Sequence, residues 1–244
     1  MAERTLPASK IKLNKVKEMK KFAAIVGTLA IALSSALAHA ATDSAGLAER
    51  LTNAANTLTE IMASPDKSIP QSILAGAACV VVIPKYKKGA FVVGAQYGQG
   101  VATCRTDHGW SAPLFVAIEG GSVGYQIGGS STDLVLLFMN EHALQSLLGD
   151  KFKLGAEASV AAGPVGRNAT AATDVRLSSE ILSYSRTKGI FAGVSLDGAA
   201  FAADGSGDRA MYGDGVNRHE IVRGAVPVPS SAAGLVHELR VYSR

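Results

Sequence analysis

Gly120-Gly121-Ser122-Val123-Gly124 fits G-x-S-x-G, the pattern in which a serine on a strand-to-helix elbow becomes a nucleophile. That chemistry needs a histidine base, a carboxylate behind it and a helix directly after the serine. Here β-type residues follow Ser122, and His142, His219 and His237 stand in no recognisable setting. A tight β-turn is the favoured reading, and a serine hydrolase acting through Ser122 is the weakest function considered. His219-Glu220-Ile221-Val222-Arg223 begins like the zinc helix H-E-x-x-H but ends in arginine, which removes the second ligand. Asp204, Ser206 and Asp208 have the alternate spacing of a calcium loop. Arg209 stands where that loop needs glycine, and Gly215 where it needs glutamate. Gly205-x-Gly207-x-x-Ala210 resembles a dinucleotide fingerprint without the βαβ pattern around it, and no phosphate-binding Walker loop occurs. The residues therefore point to no catalytic group, no metal and no cofactor.

Three groups of cations are left. Lys85, Lys87 and Lys88 surround Tyr86, Arg167 follows Gly163-Pro164-Val165-Gly166, and Arg186 and Lys188 flank Thr187 ahead of Gly189. Turns of this kind can offer N–H groups and positive charge to a phosphate headgroup. Each basic residue at an anionic leaflet contributes about 1 kcal/mol, so roughly four to six acting together would matter. The alternative is that lysines sit at strand ends to discourage edge pairing and aid solubility.

These cations belong to a chain whose first part is read as targeting sequence. Lys20-Lys21 precede an apolar run from Phe22 to Leu37 that ends at Ala38-His39-Ala40. A basic start, a short apolar stretch and an A-x-A site predict a signal peptide cleaved after Ala40, and hence export to the periplasm or cell envelope. The run is shorter than the ~20 residues of a membrane span. Met19 would make a more ordinary start than Met1, and both remain open. The chain has 24 Lys and Arg and 20 Asp and Glu, of which residues 1–40 hold seven and two, leaving 17 against 18 and a net charge of −1. No global basic field survives processing, so nucleic acid is not an expected partner. Cys79 and Cys104 are the only cysteines. They are either a disulfide or two buried thiols on neighbouring strands; an oxidising compartment favours the disulfide.

The rest must position these groups. Leu47, Leu51, Ala54, Leu58 and Ile61 recur at helical spacing from Asp43 to Met62, opposite Glu49, Arg50, Asn53 and Glu60. Because that polar face is poor in lysine, the helix is expected to dock on the fold rather than lie on a membrane. A short helix follows over Ser68–Gly76, with Pro70 in its first turn. Ala77–Ile83 is a continuous apolar run, the pattern of a strand covered on both faces. Pro84 closes it and Lys85–Gly89 reads as a turn. Further strands are expected over Ala90–Gln96, Gly100–Arg105, Leu114–Glu119, Ser122–Ile127, Asp133–Met139 and, longest, Phe152–Ala162. Asn140 should cap a helix ending at Leu148. Residues 181–198 alternate around Arg186–Gly189 as a hairpin, followed by a strand over Ala199–Ala203. Asp204–Asp208 is expected as a loop, Asn217–Arg223 as a short helix and Ser231–Tyr242 as the last helix. Short turns between strands predict an α+β fold, a curved, mainly antiparallel half-barrel or barrel-like sheet with flanking helices, as one domain over 41–244.

Four stretches also carry a resemblance. The run Ser183 to Gly198 (S-Y-S-R-T-K-G-I-F-A-G-V-S-L-D-G) resembles the signature of the SYLF-domain family. Gly163-Pro164-Val165-Gly166-Arg167, the Cys79–Pro84 run C-V-V-V-I-P and Trp110-Ser111-Ala112-Pro113 match in order, so the likeness covers roughly Ala41 to Gly224. The family includes yeast actin-patch proteins. The resemblance implies non-enzymatic binding of membrane lipid, with phosphoinositides for eukaryotic members and actin for some. For an exported bacterial-type protein it implies anionic phospholipid or phosphoinositide-like headgroups at a membrane surface. A module binding another envelope protein is the other reading.

Overall fold

The computed structural model describes residues 44–64, 68–90, 93–123, 128–165, 179–187, 190–191, 196 and 198–244. The expected signal peptide, Arg167 and Lys188 lie outside the described residues. Gly46–Arg244 is one compact unit.

Helix α1 covers residues 44–62, and α2 covers Gln71–Gly76. The strands are β1 (Cys79–Ala90), β2 (Val93–Thr106), β3 (Gly109–Trp110), β4 (Leu114–Val123) and β5 (Gly128–Phe138). Helix α3 (Glu141–Leu148) leads to β6 (Lys151–Lys153), β7 (Val160–Ala162), β8 (Ile181–Thr187), β9 (Ile190–Phe191) and β10 (Ala200–Ala203). Helices α4 (Gly205–Tyr212), α5 (Arg218–Val222) and α6 (Ala233–Tyr242) complete the chain. The strands form one strongly curled half-barrel sheet in the order β6-β10-β4-β2-β1-β5-β8-β7, with β3 beside β2 and β9 beside β8. All pairings are antiparallel except β7 with β8. The expected α+β class and curvature are thus present.

Core packs on both faces of the sheet. Val80 and Val82 join Leu137, Tyr184 and the apolar stripes of α1 and α6 on one side. Cys79, Val81 and Ile83 join Phe138, Phe152, Phe201, α3 and α5 on the other. This is why β1 begins as an unbroken apolar run: alternate side chains enter different cores. Leu51, Ala54, Leu58 and Ile61 are at most 1% exposed, so α1 docks as its spacing predicts. Asn140 caps α3 by accepting from the Ala143 N–H at 2.9 Å. Among the described residues no helix is long and apolar enough to cross a membrane.

Several boundaries differ from expectation. The lysine run is not a turn, because β1 continues through it to Ala90. Pro84 and Lys85 together oppose the single residue Asp133, a bulge between the pairs Ile83–Leu134 and Tyr86–Thr132. A proline is tolerated in a central strand at such a break. Lys85 takes a φ of 52°, and its N–H donates to the Asp133 carboxylate at 3.0 Å. Opposite, a Cβ on Gly100 would lie 2.2 Å from the Val82 carbonyl oxygen, so β2 makes room by having none. Gly98 and Gly120 likewise lie inside strands β2 and β4 rather than between strands. The long strand expected over Phe152–Ala162 is broken by a turn at Gly155, whose φ is 80°. The Asp204–Asp208 loop is instead the cap and first turn of α4.

Candidate functional site

The catalytic patterns dissolve in the fold. Ser122 lies within β4, paired with Gly94 of β2, so the strand–turn–helix elbow is not formed. Asp204 caps α4 and is bound by Arg50 at 2.7 Å, by the Ser206 hydroxyl at 2.6 Å and by the Gly207 N–H at 3.0 Å. Burial works to raise its carboxyl, and these hydrogen bonds more than offset it, leaving the group below the usual range. Asp208 is only 3% exposed, accepts from the Phe115 N–H at 2.7 Å and pairs with Arg218 at 3.2 Å. Burial outweighs those partners and pushes its carboxyl up to about 6. Both carboxylates of the calcium-like spacing therefore hold the fold together. Gly207 of the dinucleotide-like spacing packs on Phe115, where a Cβ would come within 2.8 Å. His219 is exposed at the start of α5. Among the described residues no three His, Cys, Asp or Glu side chains converge as metal ligands.

Cys79 and Cys104 form a disulfide directly across the β1–β2 ladder, buried at 0% and 3% exposure. Two of the motif stretches meet at Tyr184: a Cβ on Gly163 would lie 2.1 Å from its ring, so the glycine serves packing.

The cations fare differently from one another. Because β1 stays a strand, its side chains alternate faces, and the lysines do not form one tip. Lys88 shares the face of Tyr86, with its Nζ 5.9 Å from that ring's centroid. The Tyr86 phenol is buried, donates to Gln96 Oε1 at 2.8 Å and is pushed up to about 12 by desolvation. Lys87 emerges on the opposite face, level with Ser131 of β5 and Tyr97 of β2. Lys85 is exposed at the bulge, and the Lys85 and Lys87 ammonium groups have no ion-pair partner among the described residues. Arg186 is in β8 opposite Asp133 and pairs with Glu60 of α1, so its charge is engaged. Farther along the Lys87 row, Glu119 is held by Lys151 at 2.6 Å. The site that emerges is an open sheet face beyond α1, carrying Lys85 and Lys87 with Arg186 at its margin. Among the described residues of this face, no serine, threonine or cysteine is hydrogen-bonded to a histidine.

The chain is similar to the SH3 domain-containing YSC84-like protein 1 of Rattus norvegicus, 33% identical over 181 residues, which is 73% of this chain and 53% of that one. The Homo sapiens protein of the same name is 34% identical over 173 residues, covering 70% of this chain and 50% of its own length. Protein YSC84 of Saccharomyces cerevisiae is 36% identical over 178 residues, covering 71% and 38%. The chain thus spans about half the length of the animal relatives and less of the yeast one. Residues 119–242 match the Ysc84 family, described as Las17-binding protein actin regulator. With half of its residues under that match, from the middle of β4 to the last turn of α6, the chain belongs to the Ysc84 (SYLF) family.

Proposed function

We propose that this protein is a non-enzymatic binding module that attaches to anionic phospholipid at a membrane surface of the cell envelope. The observation that carries the reading is a sheet face that no described helix covers, on which the Lys85 and Lys87 ammonium groups are exposed and without an ion-pair partner among the described residues. Two cations supply about 2 kcal/mol, so the reading also draws on Arg167 and Lys188 to reach the roughly four that matter. Lys88 lies on the other face of the same strand and Arg186 is held by Glu60, so both contribute less. Family membership supports binding rather than chemistry. In the proposed setting residues 1–40 direct export, the Cys79–Cys104 bond forms in an oxidising compartment, and the protein is peripheral to the membrane. Phosphatidylglycerol or cardiolipin would then take the place of phosphoinositides.

A second reading, an envelope module that binds a protein, is favoured by the family description, which names a protein partner. An exported chain would meet no actin, so that partner would have to be different. Flotation of the chain from Ala41 onward with vesicles of graded phosphatidylglycerol content separates the two. Binding that rises with anionic lipid and falls in salt is expected. Failure to float on any composition would leave the protein-binding reading ahead.

A further inference from the structure

One large side chain stands in solvent beside Lys87. Tyr97 is directly across from Lys87 in the β1–β2 ladder and across from Glu119 in the β2–β4 ladder. Directly paired residues project on the same face, so the ring and the Lys87 ammonium are neighbours there. Tyr97 is 49% exposed, the most exposed of the large hydrophobic side chains among the described residues. Its surroundings explain why. One step farther along the same face, the row is Gly129, Gly89, Ala95 and Gly121, all exposed, so only small residues flank the ring on that side. A Cβ built on Gly89 would meet nothing within 4 Å. On the ring's other flank the charge of Glu119 is taken up by Lys151.

An aromatic body with a polar tip, standing next to an exposed cation, has the chemistry of a membrane–water boundary. The two groups act over different distances. Attraction between Lys87 and anionic headgroups reaches about a Debye length and is screened by salt. Burial of a ring is short-ranged and insensitive to salt. We propose that Tyr97 is the interfacial anchor of this face: Lys85 and Lys87 draw the protein to an anionic bilayer, and the Tyr97 ring then enters the headgroup layer beside Lys87. The inference rests on the membrane reading above and adds the residue that holds the contact once charge is screened.

The test uses the chain from Ala41 onward, which keeps every described element and omits the apolar run 22–37, which would partition into vesicles by itself. Vesicles of phosphatidylcholine with phosphatidylglycerol are floated at low and high salt. Tyr97→Ala is expected to lower partitioning about ten-fold at both salts, while Tyr97→Phe keeps most of it. Lys87→Gln is expected to lower binding at low salt and to change little at high salt. In Tyr97→Trp, vesicles should shift the emission to the blue against the buried Trp110, which is 4% exposed. Parent-like partitioning of Tyr97→Ala at high salt, or unchanged Tyr97→Trp emission on vesicles that the parent binds, would overturn the anchor and leave the membrane reading standing. A parent that floats on no vesicle removes both.

Discussion

Within one strand, β1, two lengths of chain live in opposite surroundings. Cys79 to Ile83 lies between two cores, each residue at most 1% exposed and the first bonded to Cys104. Lys85 to Gly89 carries the same antiparallel ladders onward, yet Lys85, Lys87 and Gly89 are exposed. The change happens at the Pro84–Lys85 bulge, beyond which no described helix covers the Lys87 face. Stability is concentrated before the bulge, and surface chemistry after it. A central strand can therefore serve both ends, provided its partners accommodate the extra residue.

The contrast predicts a graded set of effects. The largest falls on the buried side. Arg218→Leu leaves Asp208 without its cation, and loss of one partner of such a pair costs about 3 kcal/mol or more in chemical denaturation near neutral pH. Asp208 also gives the loss a pH signature. Its folded carboxyl is held at about 6, above its unfolded value, so the folded state binds the extra proton and stability falls as pH rises through that window. Removing Arg218 takes away an interaction that favours the charged form, so the variant's deficit should be smaller at pH 5 than at pH 8. A deficit independent of pH would show that Asp208 does not carry it. Next comes the hinge of the comparison: Gly100→Ala sets a methyl against the Val82 carbonyl and should cost about 2 kcal/mol, read from the shift in denaturant midpoint. Smallest in stability is Lys87→Gln on the exposed side. A change within about 0.5 kcal/mol is expected there, with vesicle binding at low salt reduced about five-fold. A large loss of stability would mean that the outer half of β1 is part of the core after all.

Most of the framework was legible where one residue type dominated one face. Leu47, Leu51 and Leu58 announce α1, Asn140 its α3 cap, and Leu235, Val236 and Leu239 the last helix. Legibility failed where long-range pairing overrode local preference. Pro84, Gly98 and Gly120 look like strand ends in sequence, yet each sits inside a strand that its neighbours complete. Gly205-Ser206-Gly207-Asp208 has little intrinsic helix tendency, and Asp204 capping together with the Asp208–Phe115 contact draws it into α4. The candidate site was half legible. Its lysines were visible as a group, but reading their run as a turn hid the alternation that sends Lys87 and Lys88 to opposite faces. Tyr97, a lone aromatic in a Gly- and Gln-rich stretch, carries no signal of type or spacing, and only pairing brings it beside Lys87.

The clamped position of β1 has a mechanical consequence. The strand is bonded along its length to β2 on one side and β5 on the other, and its first residue is covalently tied to β2 through Cys104. Antiparallel ladder bonds run perpendicular to the strands. A pull along β1 from its lysine end therefore meets many of those bonds in shear, all at once, instead of opening them one by one. Load applied at Lys87 is shared between both neighbouring strands, and at Cys79 it passes into β2 through a covalent bond.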